Sequence, residues 1–288
     1  MIPLQFSVFF DKDSSTFTYL VWEPSTQAAV VIDPVLNFEQ ASGRTATTGV
    51  EQVVAEIQSR QLNLMYILET HVHADHLSAA AALKRLCGGG AQVGIGDQIC
   101  RVQKVFSALF ALPSQADGAP FDLLLADNTT LPLGRTSIKI IHTPGHTPAC
   151  VSYLIEDLLF VGDTLFMPDY GTARCDFPGG DAATLYRSIQ KLFALPDDTR
   201  MLMCHDYGAP GRPDVANETS VGAQKAANIH VGQGRSEADF VALRTARDAT
   251  LSMPKLLLPS VQVNMHAGEL PVPEANGIRY LKLPLDQF

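Results

Sequence analysis

Thr70-His71-Val72-His73-Ala74-Asp75-His76 is the stretch on which the reading of this chain turns. It sets three histidines and an aspartate within six consecutive residues. The run before it, Leu64-Met65-Tyr66-Ile67-Leu68, is short, apolar and in part β-branched or aromatic, and reads as a buried strand. The run after it, residues 77–86, is rich in Ala and Leu and reads as a helix. The motif therefore occupies a strand-to-helix loop, the place where ligands collect beyond the carboxyl ends of the strands in an open α/β sheet. His71 and His73, two apart on extended backbone, project to one side. Imidazole and carboxylate are ligands for zinc and iron.

Working outward, the 288 residues suffice for one large domain or two small ones, and 46% hydrophobic with 18% charged residues describes a globular chain with a sizeable core. A formal net charge of -9 argues against nucleic acid or anionic membrane as a general partner, so an anionic small substrate needs a local basic patch. No apolar run approaches the ~20 residues of a membrane span. Residues 1–6 carry no basic n-region. The five cysteines, Cys87, Cys100, Cys150, Cys175 and Cys204, are odd in number and contain no CxxC pair, so the expected setting is a reducing cytoplasm without disulfides.

In chain order, strands are expected over residues 6–10, 17–22 and 29–32, with 37–49 a polar loop and 50–60 an amphipathic helix. After the site strand and site helix come a strand at 92–95 and a helix over 99–112. Residues 122–133 and 136–141 read as two strands, the second leading into Thr143-Pro144-Gly145-His146-Thr147-Pro148. Strands 151–155 and 158–161 follow, the latter ending at Gly162-Asp163-Thr164, then a Gly/Pro-punctuated loop over 169–180 and a helix that Asp181 can cap. Strand 201–204 ends at His205-Asp206-Tyr207-Gly208, followed by helices near 217–229 and 236–251 and a Pro-rich tail. Hairpins followed by strands alternating with helices, twice, describe an α+β or α/β chain of two sheets packed face to face with helices outside.

Candidate ligands thus number seven: His71, His73, Asp75, His76, His146, Asp163 and His205. The last three each follow an apolar strand, with Gly145 and Gly162 directly before His146 and Asp163 and Gly208 three residues after His205, and glycine lets the backbone turn sharply there. Taken singly, each has an ordinary explanation: a loop histidine with a hydrogen bond, or an aspartate capping a turn. Taken together they are specific, because unrelated loops rarely all place ligand types at strand ends. Counted as side chains they suffice for two metals.

The same residues resemble the metallo-β-lactamase superfamily, whose H-x-H-x-D-H motif is followed by a His, an Asp and a final His. The resemblance implies an αββα sandwich of two mixed sheets flanked by helices. It assigns residues 1–253 to the catalytic domain and 254–288 to an extension packed on it. A narrower resemblance, to the glutathione-dependent persulfide dioxygenases, rests on Phe17-Thr18-Tyr19-Leu20, Ile32-Asp33-Pro34-Val35-Leu36, Arg174-Cys175-Asp176-Phe177, His205-Asp206-Tyr207-Gly208 and Val263-Asn264-Met265. His266 departs from the arginine of that family. This resemblance implies oxidation of glutathione persulfide by O₂ and water to sulfite and glutathione. It implies one Fe(II) on His71, His146 and Asp163, a facial triad with open positions. His73, Asp75, His76 and His205 then orient ligands and oxygen. Substrate contacts are expected from Arg174, Tyr207, Lys225 and Asn228. The implied partners are glutathione persulfide, glutathione and O₂, with no nucleic acid or membrane; a homodimer is left open.

Two other readings compete. A glyoxalase-II-like hydrolase would hold two Zn²⁺ and a bridging hydroxide for hydroxyacylglutathione. A non-enzymatic binding module would be signalled by a missing ligand, and all seven are present.

Overall fold

Side chains alternate in direction along a strand, and in this chain both directions are apolar. In Thr16–Glu23, every residue is buried; Phe17, Tyr19 and Val21 pack in one core while Leu20 and Trp22 pack in another. That double burial fixes a central strand between two layers.

The computed structural model describes residues 3–113 and 116–287. The elements run β1 (Gln5–Asp11), β2 (Thr16–Glu23), β3 (Ala28–Ile32), β4 (Val35–Glu39), β5 (Arg44–Ala46), α1 (Thr48–Ser59), β6 (Asn63–Leu68), β7 (Leu77–Ser78), α2 (Ala80–Leu86), β8 (Gln92–Gly96), α3 (Ile99–Leu109) and β9 (Leu123–Leu125). They continue with β10 (Thr130–Leu133), β11 (Thr136–His142), β12 (Val151–Ile155), β13 (Leu158–Phe160), a 3₁₀ turn (Gly162–Thr164), α4 (Ala182–Phe193), β14 (Arg200–Leu202), β15 (Glu218–Ser220), α5 (Val221–Ala227), α6 (Glu237–Asp248) and α7 (Leu257–Asn264). One sheet has the order β1-β2-β3-β6-β8-β9 and the other β10-β11-β12-β13-β14-β15; a small β5-β4-β7 sheet lies beside them. Both large sheets are mixed: β3, β6, β8 and β9 pair in parallel, as do β13 and β14, and the other pairings are antiparallel.

Tyr19, Val30 and Leu68 meet Ile140, Tyr153 and Phe160 between the sheets. Leu20, Val31 and Ile67 face α1, α2, α3 and α7 on the other side of the first sheet. Leu159, Val161 and Met201 face α4 and α6 behind the second sheet. The layers are therefore α, β, β, α. Leu257, Val261 and Val263 of α7 belong to the same core as α1 and α2.

Several expected boundaries are corrected. The strand expected over 122–133 is two strands in different sheets, broken where Asn128 adopts a left-handed φ of 61°; Asp127-Asn128 supplies the turn. The loop expected over 37–49 contains a hairpin with Asn37 opposite Ala46. The helix expected from residue 77 starts at Ala80, because Leu77 and Ser78 pair with β4. That expected over 217–229 is a short strand plus a helix ending at Ala227, and that over 99–112 ends at Leu109. Among the described residues no helix is long and apolar enough to cross a membrane.

Candidate metal centre

The ends of β3, β6, β13 and β14 and the loop before β12 meet at one edge of the sandwich, with the start of β2 beside them. Asp33, just past β3, has a left-handed φ of 51°. Its carboxylate accepts hydrogen bonds from the Thr70 amide (2.7 Å), Thr70 Oγ1 (2.8 Å) and His73 Nε2 (3.0 Å). Burial alone would raise its pKa, but His73 and the Thr70 donors override that and hold it below the usual range. Burial likewise works against a charge on His73, and Asp33 with Glu69 pushes its pKa well up. His73 thus gives Nε2 to carboxylates and turns Nδ1 to the cavity. Asn264 of α7 donates to the carbonyls of His73 and His76, both at 2.8 Å, so the carboxy-terminal region holds the motif loop in shape.

Two ligand clusters result. In the first, His71 Nδ1 contacts Thr70 Oγ1 at 3.1 Å and His146 Nδ1 contacts the Arg174 carbonyl at 2.7 Å. Their Nε2 atoms lie 3.8 and 3.7 Å from Asp163 Oδ2. In the second, the Nδ1 atoms of His76 and His205 both contact Thr16 Oγ1, and His205 Nε2 lies 3.3 Å from Asp75 Oδ2 and 3.3 Å from Asp163 Oδ1. Asp163 faces both. Within each group, His71-His146-Asp163 and His73-Asp75-His76-His205, the ligand atoms lie within 4.8 Å of one another.

Glycine is required at two of these turns. Gly145 has φ 140° and an added Cβ would sit 2.3 Å from Leu185 Cα; Gly162 has φ 53° and its Cβ would sit 2.7 Å from Thr70.

His71 Nε2, His73 Nδ1, Asp75 Oδ2, His76 Nε2, Asp163 Oδ1 and His205 Nε2 are all buried without a hydrogen-bond partner. Leaving that many polar atoms unpaired in an interior is costly, and a bound cation is what removes the cost. His71 has its pKa pushed well down, by burial first and then by the neighbouring histidines, which leaves a neutral imidazole able to ligate. Burial alone would raise the pKa of Asp75, but His205 and His76 hold it below the carboxylate range. The donor set suits a metal, and all seven expected ligands converge. Cys204 lies beneath, its Sγ 3.5 Å from Asp33 Oδ2; burial, then the carboxylates of Asp33, Asp163 and Asp75, push its thiol pKa well up.

The cavity in front of the clusters is rimmed by Arg174, Tyr207, Arg244 and Arg247. Arg174 is already engaged: it forms two bonds to Asp176 (2.5 and 2.6 Å) and one to the Ser252 carbonyl (2.7 Å), and lies over the Phe177 ring. Lys225 and Asn228 lie outside the cavity lining, against expectation. Lys225 pairs with Asp197 at 2.6 Å, and Asn228 is buried, donating to the Gly171 carbonyl and Gln224. Their helix is short, and α6 fills the place expected of them. His266, just past α7, bonds the Gln262 carbonyl of that helix. Sequence reasoning missed Arg244, Arg247, Thr16 and the bracing role of Asp33. An Asp-Pro closing an apolar strand was a legible sign of the last.

A profile of the metallo-beta-lactamase superfamily matches residues 11–205. The chain is 52% identical to a probable metallo-hydrolase of Burkholderia pseudomallei, over 96% of this chain and 98% of that one. It is 45% identical to Glyoxylase B2 of Dictyostelium discoideum, over 97% and 96%. It is 35% identical to the human mitochondrial persulfide dioxygenase ETHE1, over 71% and 69%. The crystal structure of ETHE1 from Myxococcus xanthus superposes with a TM-score of 0.74 at 30% identity, covering 92% of this chain and all of that one. The chain belongs to the metallo-beta-lactamase superfamily, and its site is a His/Asp metal-binding cluster in that fold. Within the superfamily it resembles the sulfur dioxygenases.

Proposed function

We propose that the protein is a persulfide dioxygenase acting on glutathione persulfide. The observation that carries this reading is the His71-His146-Asp163 cluster, two imidazoles and one carboxylate on one side of an open cavity, in a chain similar to ETHE1. In this reading His71, His146 and Asp163 would hold one Fe(II), which would supply open positions for a persulfide sulfur and O₂. The outer sulfur takes both atoms of O₂ and one oxygen of water. The S–S bond breaks, four electrons pass from sulfur to O₂, and glutathione, sulfite and two protons leave.

The chain's own residues do the rest. The Arg174 carbonyl and Thr70 hydroxyl aim His146 and His71. Phe166, Tyr170 and Tyr207 wall the cavity against water. Arg247 has no ion pair or side-chain hydrogen bond among the described residues, so its guanidinium is available to a glutathione carboxylate, with Arg174 and Tyr207 beside it. Residues 254–288 belong to the same catalytic unit through Asn264. The proposed setting is cytoplasmic, where five unpaired thiols stay reduced.

The second reading is a thioester hydrolase with two zinc ions on hydroxyacylglutathione. It is favoured by the completeness of the His73-Asp75-His76-His205 group and by full-length similarity to Glyoxylase B2. Elemental analysis with paired assays decides. One iron per chain and O₂ uptake matched by sulfite support the dioxygenase. Two zincs and fast anaerobic hydrolysis of S-lactoylglutathione overturn it.

A further inference from the structure

Ala209-Pro210-Gly211-Arg212 follows the loop of the last histidine and has no part in the chemistry described so far. It is a tight turn: the Arg212 amide donates to the Ala209 carbonyl at 2.9 Å, with Pro210 in the second position and Gly211, φ 86°, in the third. Proline followed by a left-handed glycine is the signature of a type II turn. The turn brings Arg212 back beside Asp206.

A guanidinium has five N–H groups in a rigid fork, and Arg212 spends all of them. Two go to Asp206 (2.5 and 2.9 Å), two to Asp169 (2.7 and 3.0 Å) and one to the Asp214 carbonyl (2.9 Å). Asp206 is fully buried and also accepts from the Gly208 and Ala216 amides. Asp169 lies on a separate, exposed loop, and its carboxylate has no other hydrogen bond among the described residues. Tyr170 follows Asp169 directly, and Tyr207 follows Asp206. Both rings line the cavity, with centroids 5.2 Å apart, whereas Arg212 does not line it. One guanidinium thus joins two loops at the residues next to those rings, a span that the point charge of a lysine does not reproduce.

We propose that Arg212 is a positioning residue that clamps Tyr170 and Tyr207 into one wall of the cavity, and so sets how tightly the substrate is held rather than how fast it reacts. The clamp acts from outside the cavity, through the backbone of the two loops. Its effect on substrate rests on the proposed reaction; the coupling of the loops does not.

Arg212→Ala would strand the buried Asp206 carboxylate and confound positioning with folding. Asp169→Ala is the cleaner variant, because it removes only the cross-loop half of the clamp and leaves Arg212 on Asp206. Hydrogen exchange by mass spectrometry on the iron-loaded, full-length chain reads the coupling. Asp169→Ala is expected to speed exchange over residues 206–216, on the other loop, by about fivefold or more. Steady-state O₂ uptake on iron-matched samples should show KM for glutathione persulfide raised about three- to tenfold, with kcat within about twofold of wild type. Asp197→Ala breaks another ion pair of an exposed aspartate, to Lys225 outside the cavity, and is expected to move neither readout. Unchanged exchange over 206–216 in Asp169→Ala, a fall in kcat at constant KM, or equal effects from Asp197→Ala overturns the proposal. The exchange readout needs no substrate, so failure of the clamp and failure of the reaction assignment are told apart.

Discussion

The floor of the site and its rim are built on different terms. The floor hangs from strand ends whose positions follow from two closely packed sheets. Its side chains are braced by buried acceptors and donors such as Asp33, Thr70, Thr16 and Asn264. The rim is carried by the 169–180 loop and α6, and its charges are partly spent on each other: Arg174 on Asp176, Arg244 on Asp248. Chemistry that needs fixed geometry sits on the rigid part, and recognition sits on the part that loops and helix docking can vary.

The largest expected effects are therefore on the floor. His71→Ala, His146→Ala and Asp163→Ala should each lose bound iron, since a three-ligand site has no spare protein ligand; His205→Ala should retain most of it. Elemental analysis of the purified variants checks this. Full iron in all three triad variants would merge the two clusters into one site and end the distinction between them.

Next comes the rim. Arg247→Ala should keep its iron and lose about tenfold to a hundredfold in kcat/KM for glutathione persulfide, the worth of one charge-assisted hydrogen bond. Arg174→Ala should lose less, because its guanidinium is already committed and the contact to His146 comes from its backbone. Steady-state O₂ uptake on iron-matched samples ranks the two. A larger loss for Arg174 would return the anchoring role to it.

Smallest is an effect of pH on the support beneath the rim. His230 Nδ1 accepts from the Thr172 amide at 2.9 Å, and burial, then Arg244, Arg247 and Arg235, lowers its pKa to about 4. The unfolded chain takes up this proton near the ordinary value of about 6.5. Stability from the neutral ring is thus complete above that pH and is lost as pH falls toward 4. Thermal melts between pH 7 and 5 should show this slope, and His230→Gln should flatten it. Hydrogen exchange should find the Thr172 amide opening before that of Thr70.

The same contrast explains what the sequence disclosed. The ligands were legible because they are His and Asp residues in the loops that follow apolar strands, a local pattern with a local cause. The layered fold was legible because hairpins and strand–helix alternation have distinct periods. The break between β9 and β10 was hidden in a run that looks continuously strand-like, and only the inter-sheet crossing at Asn128 explains it. Lys225 and Asn228 were misplaced because membership of the rim depends on how α5 and α6 dock. Arg244 and Arg247, three apart on α6, carry no mark in the sequence that separates a cavity wall from a solvated helix face.

The buried cysteines have a consequence for self-protection. A persulfide is an electrophile toward thiolates, and an active site that handles one is exposed to sulfur transfer onto its own side chains. Burial raises the Cys150 thiol pKa to about 12, and those of Cys175 and Cys204 are also pushed up, so all three remain protonated in the interior, behind the cavity lining. A thiol without its anion is a poor nucleophile. Carboxylates that hold the motif in place, Asp33 and Asp163 among them, thereby also keep Cys204 chemically silent toward the proposed substrate.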